Sequence, residues 1–254
     1  IPDSSTSRAR LIIKDHGVLA GVELASRIFK HLDPEAIIRV HIPDGGDVLF
    51  GDVAFEIECN SRALLMGERL ALNAMQRMSG IATLSNRFAF EVEGLPCKIL
   101  DTRKTTPLLR QLEKWAVAIG GCYNYRFGLY DWIMIKDNHT DACGGLTKAI
   151  DRVHEYFAIH DMILPITVEV RNLIELHEVM NRGGVTRIMM DNFELPLLQE
   201  AVHIVDKHFE TEASGGIDLR NVRLYASTGV DFVSVGALTH SAGSLDMSLK
   251  VVKE

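Results

Sequence analysis

Lys98-Ile-Leu-Asp-Thr-Arg-Lys-Thr-Thr-Pro107 is an apolar strand signal that runs into two adjacent cations and then into Pro107, a residue that suits the first turn of a helix. The spacing predicts a buried strand over 98–100 and a helix opened by Thr106 as N-cap, with Pro107 at its first position and Gly120-Gly121 at its end. Arg103 and Lys104 therefore stand at a strand-to-helix junction, where backbone N–H groups favour anions. A single charged turn of this kind also fits a solvated surface loop. Its recurrence downstream is what makes it informative.

Strands are predicted at Trp132–Ile135, Pro165–Val168, Arg187–Met190, Glu210–Ala213 and Asp231–Val235, with helical spacing over Leu146–Phe157, Leu173–Asn181 and Leu195–Lys207 between them. Repeated βα units at this spacing predict a parallel sheet of about six strands. Each strand ends in polar, charged or glycine residues: Arg103-Lys104, then Lys136-Asp137-Asn138-His139, Glu169, Asp191-Asn192, Ser214-Gly215-Gly216 and Gly236. An open sheet builds its crevice from the few strands beside a switch point, whereas a barrel brings every strand end round one site. The predicted fold class is α/β, an incomplete TIM-like α/β barrel of about six strands.

Ahead of the barrel, Arg10–Lys14, Ile37–Ile42 and Val53–Cys59 read as strands and Gly21–Leu32 as a helix stopped by Asp33-Pro34. A long helical tract follows from Arg62 to Glu93, with Ser79-Gly80 as a candidate break. Its apolar positions Leu65, Leu72, Met75, Met78, Ala82 and Phe88 predict a core-facing stripe, so its methionines read as packing. Glu68-Arg69 reads from its context alone as a surface pair.

With 27 Lys+Arg against 34 Asp+Glu, the net charge of -7 excludes a broad nucleic-acid surface, and any anion site must be locally basic. Cys59, Cys97, Cys122 and Cys143 form no CxxC pair, which predicts neither a zinc site nor a disulfide scaffold and suits a reducing cytoplasm. No apolar run is long enough to span a bilayer and no signal-peptide pattern opens the chain, so no membrane partner is expected. The chain opens at Ile1 without a methionine, so a preceding N-terminal segment is expected.

Arg103, Lys104, Arg126 and Lys136 would place four cations at the barrel mouth, which calls for a polyanionic ligand. Arginine pairs with planar carboxylates and lysine acts as a compact point charge. Glu169 and Asp191 opposite them suit hydroxyl recognition or indirect contact with Mg²⁺. Ser214-Gly215-Gly216 and Val235-Gly236-Ala237 read as phosphate turns after the last two strands.

The runs Asp101-Thr-Arg-Lys-Thr-Thr-Pro107, Asn124-Tyr-Arg-Phe-Gly-Leu-Tyr-Asp131, Ile135-Lys-Asp-Asn-His139 and Ser234-Val-Gly-Ala-Leu-Thr-His240 resemble the quinolinate phosphoribosyltransferases. Matching segments at Gly17–Gly21, Glu68-Arg69, Ser79–Thr83 and Leu245-Asp246 extend the resemblance over nearly the whole chain. It implies transfer of phosphoribosyl from phosphoribosyl pyrophosphate to quinolinate with loss of carbon dioxide, Mg²⁺ accompanying the diphosphate, in NAD biosynthesis. It also implies an N-terminal α/β sandwich over 1–81, rejoined by 238–254, beside a barrel over 82–237.

Carried over by motif, Lys136, Glu169 and Asp191 are the catalytic set, and the metal-chelated diphosphate faces the two carboxylates. Arg103, Arg126 and Lys136, with Lys104 nearby, would hold the carboxylates of the ring acid, the loops at Ser214 to Gly216 and Val235 to Ala237 would take phosphate, and Thr102, Tyr125 and His240 complete the substrate-binding set. Arg69 matches an arginine that enters the neighbouring subunit's site, which implies a homodimer with shared active sites, or a higher oligomer built on it. Where the family usually shows Asn-His-Arg this chain has Asn124-Tyr125-Arg126, a phenol in place of a basic ring. The residues alone leave three alternatives open: a phosphoribosyltransferase for another ring acid, a Schiff-base barrel lyase using Lys136, and a non-catalytic phosphosugar-binding regulator.

Overall fold

A computed structural model describes residues 1–252 of the chain. In chain order the first elements are β1 (Thr6–Ile13), β2 (Gly17–Val18), α1 (Val22–Leu32), β3 (Ile37–Val40), β4 (Asp47–Val48), β5 (Val53–Asn60) and α2 (Ser61–Glu91). Then come β6 (Lys98–Leu100), α3 (Arg110–Ile119), β7 (Ile133–Ile135), α4 (Asp137–Cys143), α5 (Leu146–His160), β8 (Ile166–Val170) and α6 (Leu173–Arg182). The last are β9 (Arg187–Asp191), α7 (Leu195–Val205), β10 (Glu210–Ser214), α8 (Val222–Ala226), β11 (Phe232–Ser234), α9 (Ala237–His240) and β12 (Met247–Val251). They form two compact units: one takes 1–87, 104–122 and the chain from 237 onward, the other 88–103 and 123–236.

The first unit is built on an antiparallel sheet ordered β12-β1-β5-β3. Its buried residues Leu11, Ile13, Phe55 and Ile57 pack with Phe29 of α1 and with Leu64, Leu72 and Met75 of α2. The helix α2 runs unbroken through Ser79-Gly80, the candidate break, because both residues serve close packing. The Ser79 hydroxyl accepts from the Ala20 amide and donates to the Ala20 carbonyl, and a Cβ on Gly80 would land 1.9 Å from the Gly243 carbonyl oxygen.

Two sequence expectations fail here for tertiary reasons. The helix foreseen at Pro107 begins at Arg110, and Leu108 adopts a left-handed φ of 66°. The buried Glu113 carboxylate, held by Arg77, takes the Thr106 amide at 3.0 Å, which draws the Thr-Pro segment into a turn instead of a first helical turn. Leu65, foreseen in the core stripe of α2, is 53% exposed, while Leu72, Met75, Met78, Ala82 and Phe88 are buried as expected.

The second unit is a parallel sheet ordered β6-β11-β10-β9-β8-β7. Five strands follow one another in sequence from β7 to β11, and β11 then pairs with β6, the strand that precedes them all. That return is the connectivity of a barrel. The β6 and β7 edges stay unpaired with each other, and a single bridge from Leu100 to Tyr123 carries the chain into the seam, so the barrel is incomplete. Alternation along each strand sends Ile166, Val168 and Val170 toward the helices and Thr167 and Glu169 toward the interior.

Candidate active site

The strand ends of the barrel place charge round its mouth. Lys136 follows β7 directly and its Nζ lies 3.0 Å from Glu169 Oε2 on β8. Glu169 is almost buried, while Lys136 keeps about half of its side chain in solvent. Asp191 closes β9, and burial first and the Glu169 charge second push its carboxyl above the ordinary range; Asp137 adds to the effect and Lys136 opposes it. Asn192 holds the acid in place by donating its amide to Asp191 Oδ2 at 2.6 Å.

Asn192 has a left-handed φ of 55°, and its own N–H bonds the Ser214 carbonyl at 2.8 Å. A Cβ on Gly215 would sit 2.1 Å from Asn192 Oδ1, and Gly215 and Gly216 adopt φ of 101° and 61°. This is a turn that glycine alone fills without strain. Val235 is tied to β6 through its amide and the Leu100 carbonyl at 2.9 Å, and Gly236 follows it.

On the seam side, the buried Asp101 carboxylate accepts the Tyr125 amide at 2.8 Å, which joins the segment carrying Thr102 and Arg103 to the one carrying Arg126. Arg126 Nη1 donates to the Trp132 carbonyl at 3.1 Å. Burial and then the like charge of Arg103 lower its guanidinium pKa. The two arginines thus sit where another positive charge is disfavoured and an anion is favoured.

The barrel interior is polar too, but there the charges are matched. Arg187 donates to Glu210 at 2.8 Å and to Glu212 at 3.1 Å and stacks on the Phe232 ring at 3.7 Å. Ser234 Oγ donates to the other Glu212 oxygen. Burial raises the Glu212 carboxyl, opposed by these two partners.

Tyr125, expected among the substrate residues, reaches into this interior. It is buried, and its hydroxyl lies 2.6 Å from Thr167 Oγ1. A phenol is longer than an imidazole, and it reaches the inward-facing threonine of β8. Burial and the Glu212 charge push the phenol well above its ordinary range.

Of the other expected site residues, Thr102, Arg103, Lys136, Glu169, Asp191, Ser214 to Gly216, Val235 and Gly236 lie in the barrel unit with Arg126. Arg69, Lys104, Ala237 and His240 lie in the first unit, where Arg69 is exposed on α2 and the Lys104 carbonyl accepts from the Thr239 hydroxyl at 3.0 Å. Sequence reasoning missed Asn192 and Asp101 as supports of the charged groups, and Asp137 as a like charge beside Asp191. The available signal was their position, each adjacent to or two residues from an expected site residue at a strand end.

A parallel barrel with a lysine paired to a glutamate and two neighbouring arginines at its mouth, and a left-handed glycine turn after a late strand, defines a phosphoribosyltransferase of the α/β-barrel class. The chain belongs to the quinolinate phosphoribosyltransferase family: residues 81–250 match that family's C-terminal domain and residues 1–79 its N-terminal domain. It is 42% identical to a decarboxylating quinolinate phosphoribosyltransferase of Nicotiana tabacum, over 100% of this chain and 76% of that protein. A probable nicotinate-nucleotide pyrophosphorylase (carboxylating) of Bacillus subtilis is 41% identical, over 96% of this chain and 83% of that one. The nicotinate-nucleotide pyrophosphorylase structure from Francisella tularensis superposes with a TM-score of 0.92 at 34% identity, covering 99% of this chain and 88% of the other.

Proposed function

We propose that the protein transfers the phosphoribosyl group of phosphoribosyl pyrophosphate to quinolinate, giving nicotinate mononucleotide, pyrophosphate and carbon dioxide in NAD biosynthesis. The observation that carries this reading is the arginine pair. Arg126 is lowered by burial and by Arg103, so that the place favours an anion, and the two carboxylates of quinolinate supply two.

Arg103, Arg126 and Lys136, with Thr102 and Lys104 beside them in sequence, take the ring acid. Glu169 and Asp191 face the ribose hydroxyls, and the turns at Ser214 to Gly216 and Val235 to Ala237 take phosphate, with His240 a further substrate-binding residue. Among the described residues no group of three or more His, Cys, Asp or Glu is spaced to hold an ion unaided, so Mg²⁺ is expected to arrive with the diphosphate and to face Glu169 and Asp191. Asp191, raised by burial first and by the Glu169 charge second, fits a position that favours a cation. Bound there, Mg²⁺ would neutralise the leaving diphosphate.

The residues then orient one substitution and one elimination. The bond from the ribose anomeric carbon to the diphosphate breaks as the pyridine nitrogen bonds to that carbon, and the protein's cations hold the ring in line. The nitrogen, now positive, stabilises the electron pair left on the adjacent ring carbon when its carboxylate departs as carbon dioxide, and that carbon then takes up a proton. Lys136, half exposed and ion-paired to Glu169, suits charge recognition, and the Schiff-base alternative is not favoured by any feature of its surroundings. The test is release of carbon dioxide from carboxyl-labelled quinolinate. Release that depends on phosphoribosyl pyrophosphate and accompanies nicotinate mononucleotide supports the reading, and nicotinate mononucleotide made from nicotinate instead of quinolinate sinks it.

The same reading makes the protein a homodimer with Arg69 serving the partner's site. On α2, Leu65, Met66 and Leu70 are exposed at helical spacing round Arg69, an apolar stripe that a second copy would cover. Mixing Arg69→Ala with Lys136→Ala subunits tests it, since a heterodimer would carry both lesions in one site and leave the other intact. Activity should return to about a quarter of wild type at random mixing, and no return after confirmed subunit exchange would place Arg69 elsewhere. All four cysteines are free, and burial pushes Cys97 up to about 12 and Cys59 up to about 11, which suits the cytoplasmic location proposed. No helix among the described residues is long and apolar enough to cross a membrane.

A further inference from the structure

Beneath the arginines, hydrogen bonds link Trp132, Thr167, Tyr125 and Glu212, and the chemistry of the end members fixes their direction. An indole N–H can only donate, so Thr167 Oγ1 accepts from Trp132 Nε1 at 2.8 Å. Burial keeps the Tyr125 proton on the phenol, and Glu212 accepts from Arg187 and Ser234, so in the bond between Tyr125 and Glu212 the phenol donates. The remaining hydrogen, on Thr167, therefore points to the Tyr125 oxygen across 2.6 Å. Every donor in the row is used, and Arg187 and Ser234 saturate the far end.

Both ends of Tyr125 are thereby fixed. Its amide is held by Asp101 and its phenol by Thr167, while Arg126, the next residue, is tied to the Trp132 carbonyl. We infer that Thr167 is a positioning residue for the substrate-binding arginines: its one hydroxyl seats both Tyr125 and Trp132, and through them sets where the Arg126 guanidinium stands. This rests on the function proposed above. It assigns Tyr125 a seat-holding role in place of a substrate contact. Glu169, Asp191 and the Gly215-Gly216 turn do not hang on this row, because strand pairing and Asn192 hold them. Loss of the Thr167 hydroxyl should therefore separate the two substrates.

The experiment compares Thr167→Val, Thr167→Ser and Tyr125→Phe with wild type. Thr167→Val, nearly isosteric, should raise the quinolinate KM about tenfold, the loss expected for one hydrogen bond with a buried partner left unmet, and change the phosphoribosyl pyrophosphate KM by less than about twofold. Thr167→Ser should restore the quinolinate KM to near wild type. Tyr125→Phe, which keeps the ring and removes the hydroxyl, should reproduce the Val phenotype, and it decides the matter if the Val variant does not fold. The indole N–H resonance of Trp132, read without ligand against that of Trp115, should shift and exchange faster in Thr167→Val and recover in Thr167→Ser. An unchanged quinolinate KM, an equal rise for both substrates, or no rescue by serine overturns the inference. Wild type that does not turn over quinolinate overturns the proposed function instead, and the ligand-free indole readout then still reports whether the seat exists.

Discussion

Glu169 and Glu212 share one register row of the barrel, both level with Met189, yet they meet opposite circumstances. The strands tilt, so that this row reaches the rim at β8 and lies inside the barrel by β10. Inside, Glu212 has Arg187 and Ser234, and the positive charge of Arg187 is answered again by Glu210. At the rim, Glu169 has Lys136 on one side and another acid, Asp191, on the other, and at Arg126 the like charge of Arg103 outweighs the opposing Asp131. Charges that answer one another stabilise a fold, and charges gathered with like neighbours await a ligand. A buried ion by itself says little about function, and its neighbours are what distinguish the two cases.

The largest effect expected is on the interior. Glu212→Ala leaves Arg187 with only the half-exposed Glu210 and should cost about 3 kcal/mol of stability, by chemical denaturation. Lys136→Ala should leave the fold standing and lower kcat/KM for quinolinate by about one to two decades, the cost of one charge-assisted bond. If Lys136→Ala unfolds as readily as Glu212→Ala, the rim is as structural as the interior and the contrast collapses.

Gly215→Ala forces a methyl into a left-handed position and against Asn192 Oδ1, and should cost on the order of 1 to 3 kcal/mol at that turn. The kinetic sign is a higher KM for phosphoribosyl pyrophosphate than for quinolinate, relative to wild type. The smallest effect is the most diagnostic. Asp191 has a raised carboxyl, so the ligand-free protein carries an ionised group at a cost at neutral pH, and that cost disappears as pH falls through the folded pKa. Asp191→Asn should therefore melt slightly above wild type at pH 7 without ligand, the gap should close toward pH 4, and the variant should be nearly inactive. A melting temperature below wild type at pH 7 would mean that the acid serves the fold.

The strand ends were legible because each βα junction announces itself locally, by an apolar run that stops at a polar or glycine residue. Six strands and the residues Lys136, Glu169 and Asp191 follow from that pattern. Arg187 and Glu212 were not legible as a pair, since 25 residues separate them and only parallel pairing of β9 with β10 brings them together. The hydroxyl partner of Tyr125 was not legible for a related reason: Thr167 comes from a strand 42 residues later. The helix start at Arg110 was hidden by the tertiary hold of Arg77 on Glu113, which outweighs a good N-cap and proline. Leu65 is exposed although its spacing fits the core stripe, because at that end of α2 the buried face is carried by its neighbours Ala63 and Leu64.

The contrast between rim and interior is tested most directly by the melting temperature of Arg126→Ala, measured without ligand and with saturating quinolinate. Removing a guanidinium that stands beside Arg103 should leave the ligand-free protein within about 1 kcal/mol of wild type, the scale of a single neutral hydrogen bond such as that to the Trp132 carbonyl. The stabilisation that quinolinate confers on wild type should largely vanish in the variant. A ligand-free loss as large as that of Glu212→Ala, with the quinolinate gain intact, would contradict the account.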